Sequence, residues 1–176
     1  ISWGAELGNY RSEIEALGRR AVGLRCDVTN WDGVHAAVDA AEVALGPLSV
    51  VANVAGGSGF GMGAGPLLSV TEREFQQVVD LNLKGTWIVC RATATRMVER
   101  GDGGRIVNVS PQAGKSGWPM LGPYSAAKAG VILLTQVLAK ELGPAGVSVN
   151  AVCPGTVDTD LVHPDGGFPA LMDAIE

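Results

Sequence analysis

The sequence predicts an α/β fold, a doubly wound parallel sheet. Three observations predict it: strand-like and helix-like segments alternate along the chain, the apolar runs end at glycine or polar turns, and the candidate chemical residues fall at the carboxyl ends of those runs. Ser12 to Leu17 has a helical pattern closed by Gly18, and Ala21 to Val28 then alternates towards Asp27 as a strand. Asp32 to Leu45 places Val34, Ala37, Val38, Ala41 and Leu45 on one helical face, with Gly46-Pro47 as the stop. Leu48 to Ala52 is the next strand. Gly56 to Gly65, with six glycines, is a loop whose backbone can pass close to a ligand. Thr71-x-x-Glu74 has the form of a capping box for a long helix through about Arg100. Ile106 to Ser110 is a β-branched run ending at a polar turn, which reads as a buried strand. A helix from Tyr124 to Leu142 stops at Gly143-Pro144, and Val147 to Val152 is a further strand. This rhythm predicts helices on both faces of the sheet and a single domain over 1–176, with no repeat or linker.

With 47% hydrophobic and 18% charged residues, 176 residues suffice for one sizeable core. A net charge of -5 without a Lys/Arg cluster argues against nucleic acid or an anionic membrane as partner. The three cysteines, Cys26, Cys90 and Cys153, are odd in number and far apart. They suggest buried free thiols in a reducing compartment rather than a disulfide framework or a metal site. A cytoplasmic, unexported protein is the expectation, since no run of about 18 apolar residues and no leader-like segment is seen.

The chemistry is most legible at Tyr124-Ser125-Ala126-Ala127-Lys128, which puts a phenol and an ammonium four residues apart on one helix face. A neighbouring cation stabilises phenolate, so the same oxygen can give or take a proton near neutrality. Carbonyl reduction and alcohol oxidation need such a group. Around this pair stand Asn53-Val54-Ala55-Gly56, Asp80-Leu81-Asn82-Leu83-Lys84-Gly85, Ile106-Val107-Asn108-Val109-Ser110 and Asn150-Ala151-Val152-Cys153-Pro154-Gly155-Thr156. In this order and at these spacings they resemble the short-chain dehydrogenase/reductase family, over about Ala21 to Thr159.

The resemblance implies a Rossmann-like fold, NAD or NADP as cofactor, and hydride transfer between nicotinamide and a small-molecule secondary alcohol or ketone. The substrate would be a 3-oxoacyl thioester, as in acyl-carrier-protein reductases, or a small polyol or acetoin. It also implies a role for each matching residue. Asp27 and Val28 would meet the adenine; as a plain turn residue, Asp27 would instead bond local backbone. Asn53 would brace the sheet, and Ala55-Gly56 would let backbone approach the ribose. Pro154, Gly155 and Val157 would run along the nicotinamide, with Thr159 near a phosphate. Tyr124 would be the general acid or base, with Lys128 lowering its pKa and holding the ribose. Asn82 would position a water linking Lys128 to solvent, or else simply cap a kink. The specificity loop after Thr159 would contain His163, Asp165 and Phe168.

The family's active-site serine would fall at Pro111, which has no hydroxyl. Three readings follow: Ser110 swings in through the turn that Pro111 imposes, Gln112 or Ser116 supplies the hydrogen bond, or turnover is weakened by the lost donor and partly restored by Pro111→Ser. The alternative function is a catalytically impaired dinucleotide-binding or scaffold homologue. A homodimer or homotetramer is implied through the long helices holding Asn82 and Tyr124, whose outer faces would present Ala92, Ala94, Ala126, Ala127 and Ala129. A strand with a Gly-rich turn should open such a fold, and Gly4 to Gly8 matches it poorly. The expectation is therefore an incomplete domain lacking its first and last strands, in which Ala21 to Val28 has no sheet neighbour and isolated cofactor binding is weak.

Overall fold

Parallel strands cannot be joined by tight turns, so each apolar run must be followed by a crossover helix before the chain returns to the sheet. The computed structural model describes residues 3–157, and its three-stranded sheet follows that plan. In chain order its elements are α1 (Trp3–Ala16), α2 (Trp31–Leu45), β1 (Val50–Asn53), two-residue strands β2 (Gly59–Phe60) and β3 (Gly63–Ala64), α3 (Glu72–Val79), α4 (Gly85–Arg100), β4 (Gly104–Val109), α5 (Gly122–Leu142) and β5 (Val147–Val152). Between α3 and α4 the helix widens into a π-turn, Asp80–Lys84. The sheet is parallel in the order β1-β4-β5. No helix among the described residues is long and apolar enough to cross a membrane.

The register aligns Val51 with Ile106 and Ile106 with Val149, and one step on Asn53 with Asn108 and Asn108 with Ala151. These positions share one face. Helices α4 and α5 cover it, through Cys90, Ala94 and Met97 on α4 and Leu138, Ala139 and Leu142 on α5, all packed around Ile106, Val147 and Val149. Helix α2 lies against α4, with Val34 and Val38 meeting Ile88 and Ala92. The alternate positions carry no helix among the described residues: Val50 is 63% and Val152 51% exposed, and Arg105, Ser148 and Asn150 also face outward. The expected parallel sheet with helices is thus present, but the described helices line one of its faces, and β4 alternates rather than being buried throughout.

Local signals set the helix ends. Asn30 accepts from the Gly33 amide at 2.8 Å, and Thr71 and Glu74 form the expected capping box. Gly101, at φ 76, closes α4 in the left-handed conformation that disfavours a side chain. Ala21 to Val28 forms no ladder. A parallel strand gains its hydrogen bonds only from flanking strands, and here β1 pairs with β4 alone. The segment is instead tied down at its edges, by Arg20 donating to the Ala44 and Leu45 carbonyls that end α2 and by Val28 packing on Gly85.

The covered face is not wholly apolar. Asn53 Nδ2 donates to Asn108 Oδ1 at 2.8 Å and to Cys90 Sγ at 3.2 Å, and Asn108 Nδ2 donates to Thr135 Oγ1 at 2.9 Å. This buried chain links β1, β4, α4 and α5, and fully satisfied networks of this kind rigidify a core. Asn53 thus ties β1 to β4 through Asn108, and Thr135 extends the link to α5. Replacing Asn108 by Ala takes the shared acceptor from Asn53 Nδ2 and Cys90 Sγ and the donor from Thr135 Oγ1, whose own hydrogen stays on the Val131 carbonyl. Denaturant unfolding should show a loss of about 1–3 kcal/mol; an unchanged midpoint would remove the network from the account.

Candidate active site

The π-turn organises the site. Its widened geometry is closed by the Gly85 amide reaching back to the Asp80 carbonyl, and the Asn82 carbonyl takes the Thr86 hydroxyl at 2.7 Å. Such bulges push a side chain out of helical register, frequently at functional sites. Here the extruded residue is Asn82, fully buried. Its Oδ1 accepts from the Gly57 amide at 3.0 Å, and its Nδ2 donates to the Gly57 and Val78 carbonyls at 2.9 Å each. Both amide hydrogens are committed, and only a lone pair on Oδ1 remains for a water or an ammonium.

That grip pulls the glycine-rich loop onto α5. A Cβ placed on Gly56 would lie 2.5 Å from Asn82 Oδ1 and 2.9 Å from Lys128 Nζ, so only glycine fits between them. Lys128 is 3% exposed and donates to the Val109 carbonyl at 3.1 Å, with Nζ 5.6 Å from the Tyr124 ring centre. The structure thus brings Gly56, Asn82 and Lys128 together, one helical turn from the half-buried Tyr124.

Burial governs both titrations. It lowers Lys128 to about 8, and it pushes the Tyr124 phenol above its ordinary value. The Tyr124 pKa is thus raised, and not lowered by Lys128 as expected, because desolvation is the cause that acts on each group. The phenol is held protonated, as a proton donor requires.

A cleft of about 210 Å³ lies beyond the carboxyl end of β1, lined by Val28, Asn53, Val54, Ala55, Gly85 and Val89 among others. Gly85 makes room for it, since a Cβ there would meet Val28 Cγ2 at 2.8 Å. Apolar walls with the Asn53 edge suit a flat heteroaromatic ring. Val28, Asn53 and Ala55 thus line one cleft, whereas Asp27 is exposed and its Oδ1 accepts from the Thr29 amide and hydroxyl, both at 2.8 Å. That is the local turn weighed for it in the sequence, and it leaves Oδ2 uncommitted.

Pro154 and Gly155 follow β5 and run beside the end of β4, where the Gln112 amide donates to the Pro154 carbonyl at 2.9 Å. Val157 is exposed at the limit of the described residues; Thr159, with His163, Asp165 and Phe168, lies outside them.

Ser110 is the clearest correction. Its hydroxyl is fully buried and donates to the Lys128 carbonyl at 2.7 Å. It fastens β4 to α5 from the inner face, as strand alternation dictates, and does not swing towards Tyr124. The small-residue faces differ in part: Ala126 is exposed and Ala129 half-buried, whereas Ala92, Ala94 and Ala127 are buried within the fold, and the outward side chains of α4 and α5 also include Trp87, Val98, Leu133 and Val137. Cys26 is exposed, Cys153 partly so, and only Cys90 is buried, its thiol pushed up to about 11. Sequence reasoning missed Gly57, Thr86 and Gly114. The Gly56-Gly57 pair was the available signal for the first. Gly114 admits the close approach of Lys128 backbone, 2.8 Å from where its Cβ would be.

The family model for short chain dehydrogenases matches residues 3–166. The (-)-trans-carveol dehydrogenase of Rhodococcus erythropolis is 34% identical over 97% of this chain and 61% of its own length. The galactitol 2-dehydrogenase of Agrobacterium fabrum is 36% identical over 87% of this chain and 58% of its own. The structure of an NAD+-bound xylitol dehydrogenase superimposes with a TM-score of 0.81 at 29% identity, covering 87% of this chain and 57% of that one. The chain therefore spans about three-fifths of the length of the relatives it matches.

Desolvation of Lys128 has a direct test. In the native state its ammonium should titrate near 8 by NMR, against ~10.4 for a free lysine. Between those values the unfolded chain binds the extra proton, so this group's penalty on stability shrinks as pH rises through that window. A native midpoint at the free-lysine value would contradict the burial described.

Proposed function

The chain belongs to the short-chain dehydrogenase family, and from that premise we propose that the polypeptide carrying it is an NAD(P)-dependent oxidoreductase acting on a secondary alcohol or ketone. The observation that carries the proposal is the meeting of Gly56, Asn82 and Lys128 one turn from Tyr124. Those four residues have no common structural task that would require glycine, an extruded asparagine and a buried lysine to share one point.

The cleft lined by Val28, Ala55 and Val89 would hold the adenine end of the dinucleotide, and Lys128 would hold the nicotinamide ribose. When bound, the nicotinamide would supply the hydride for the carbonyl carbon, or accept one from the alcohol carbon. Tyr124 delivers its phenolic proton to the carbonyl oxygen as the hydride arrives, and takes the hydroxyl proton in the reverse direction. Its raised pKa favours the donor role. Oxidation should then gain rate as pH rises, because the accepting form of Tyr124 becomes more populated.

Both substrate classes expected from the sequence have a relative named for them, the 3-oxoacyl class a putative ketoacyl reductase of Streptomyces virginiae at 40% identity and the polyol class galactitol and xylitol dehydrogenases, while the carveol dehydrogenase adds a third candidate. Galactitol, carveol and a 3-oxoacyl thioester make the first panel.

Tyr124→Phe should lower turnover by about 10²- to 10⁴-fold while cofactor binding, followed by nicotinamide fluorescence, stays within a few-fold. Retained turnover in that variant would remove Tyr124 from the chemistry. Cofactor binding with no turnover by the unaltered polypeptide on any of the panel would favour the impaired, scaffold-type alternative.

A further inference from the structure

We infer that the side-chain amide of Gln112 is the group that hydrogen-bonds the reacting oxygen of the substrate, in the place where Pro111 offers no donor. The inference rests on the oxidoreductase reading above and names a further catalytic residue within it.

Four residues could supply that bond at the end of β4, and the structure disposes of three. Pro111 has neither a hydroxyl nor an amide hydrogen. Ser110 points inward, its hydroxyl bonded to the Lys128 carbonyl, and it is fully buried. Ser116 lies a turn further on, and its hydroxyl is directed back to the Gln112 carbonyl at 3.5 Å. Gln112 differs from all of them. Its backbone is held on both sides, its N–H donating to the Pro154 carbonyl at 2.9 Å and its carbonyl receiving the Lys115 and Ser116 amides at 2.8 and 3.0 Å. Its side chain is exposed, and Oε1 comes within 3.8 Å of where a Cβ on Gly155 would be. The amide therefore stands between the ends of β4 and β5, the side of the site along which the nicotinamide would run. The backbone is fixed, Oε1 is the end of the amide now nearest Gly155, and rotation of the side chain would bring the NH2 group there as donor. The amide has two hydrogens, one of which can bind a carbonyl oxygen as negative charge develops there.

The test uses the complete polypeptide carrying this chain, with galactitol and carveol as alcohols and NAD+ as oxidant, and compares Gln112→Ala, Pro111→Ser, the double variant and Tyr124→Phe. Gln112→Ala should lower kcat/KM by about 10²-fold, mostly in kcat, with cofactor binding unchanged. Adding Pro111→Ser to Gln112→Ala should recover most of that loss, because a hydroxyl at that position replaces the donor; a merely structural role for Gln112 would not be rescued so. Pro111→Ser alone should change turnover less than ten-fold. The inference is overturned if Gln112→Ala is as active as the parent, or if Pro111→Ser alone raises turnover by a hundred-fold, which would mean that no donor stands there at present. Tyr124→Phe separates the two levels: if it too leaves turnover intact, the oxidoreductase reading fails and not merely the role of Gln112.

Discussion

The bond pair between Asn82 and Gly57 is the constraint on which the site depends. A glycine-rich loop has a large conformational entropy, and nothing in its own sequence would hold it against a helix. The buried asparagine supplies an acceptor and a donor to the same residue's backbone, fixing the loop by the pattern of a strand pair without a strand. Because Asn82 can do this only when turned out of helical register, the π-turn and the loop are two parts of one device. Their common product is the close contact of Gly56 with Lys128.

The rest of the fold delivers α5 to that contact. The buried chain Asn53-Asn108-Thr135 fixes β1, β4 and α5 in one register, and the Ser110 hydroxyl and the Gly114 contact fasten the end of β4 to the backbone of Lys128 itself. The lysine is thus immobile at its backbone and bonded to Val109 at its tip. An ammonium so placed lacks water, which explains why it titrates low. It also explains why its partner phenol is held neutral rather than ionised: both groups respond first to the dry interior they share.

Much of this was legible in the sequence, for identifiable reasons. The helix stop at Gly46 and the helix start at Thr71-Glu74 are local chemistry, and the structure repeats them. Tyr124 and Lys128 share a face because helical spacing requires it. What was not legible depended on groups distant in sequence. The inward turn of Ser110 follows from strand parity, but that its hydroxyl is taken by the Lys128 carbonyl needed the helix in place. The π-turn leaves no composition signal, so the long helix read as continuous. Ala21 to Val28 carries a strand pattern, yet pattern alone cannot form a ladder without a neighbour. Ala92, Ala94 and Ala127 looked like an outer face because small residues permit close packing on either side, and only the placement of α2 and the sheet decides which.

The measurement that tests the Asn82 device most directly is amide hydrogen exchange at Gly57, with the Ile106 amide in the middle of β4 as reference. The account predicts that Gly57, although it stands in a glycine-rich loop, is protected to nearly the degree of Ile106, and that Asn82→Ala abolishes the protection at Gly57 while Ile106 keeps its own. Exchange of Gly57 at an open-loop rate in the unaltered protein would contradict it, and with it the placement of Gly56 against Lys128.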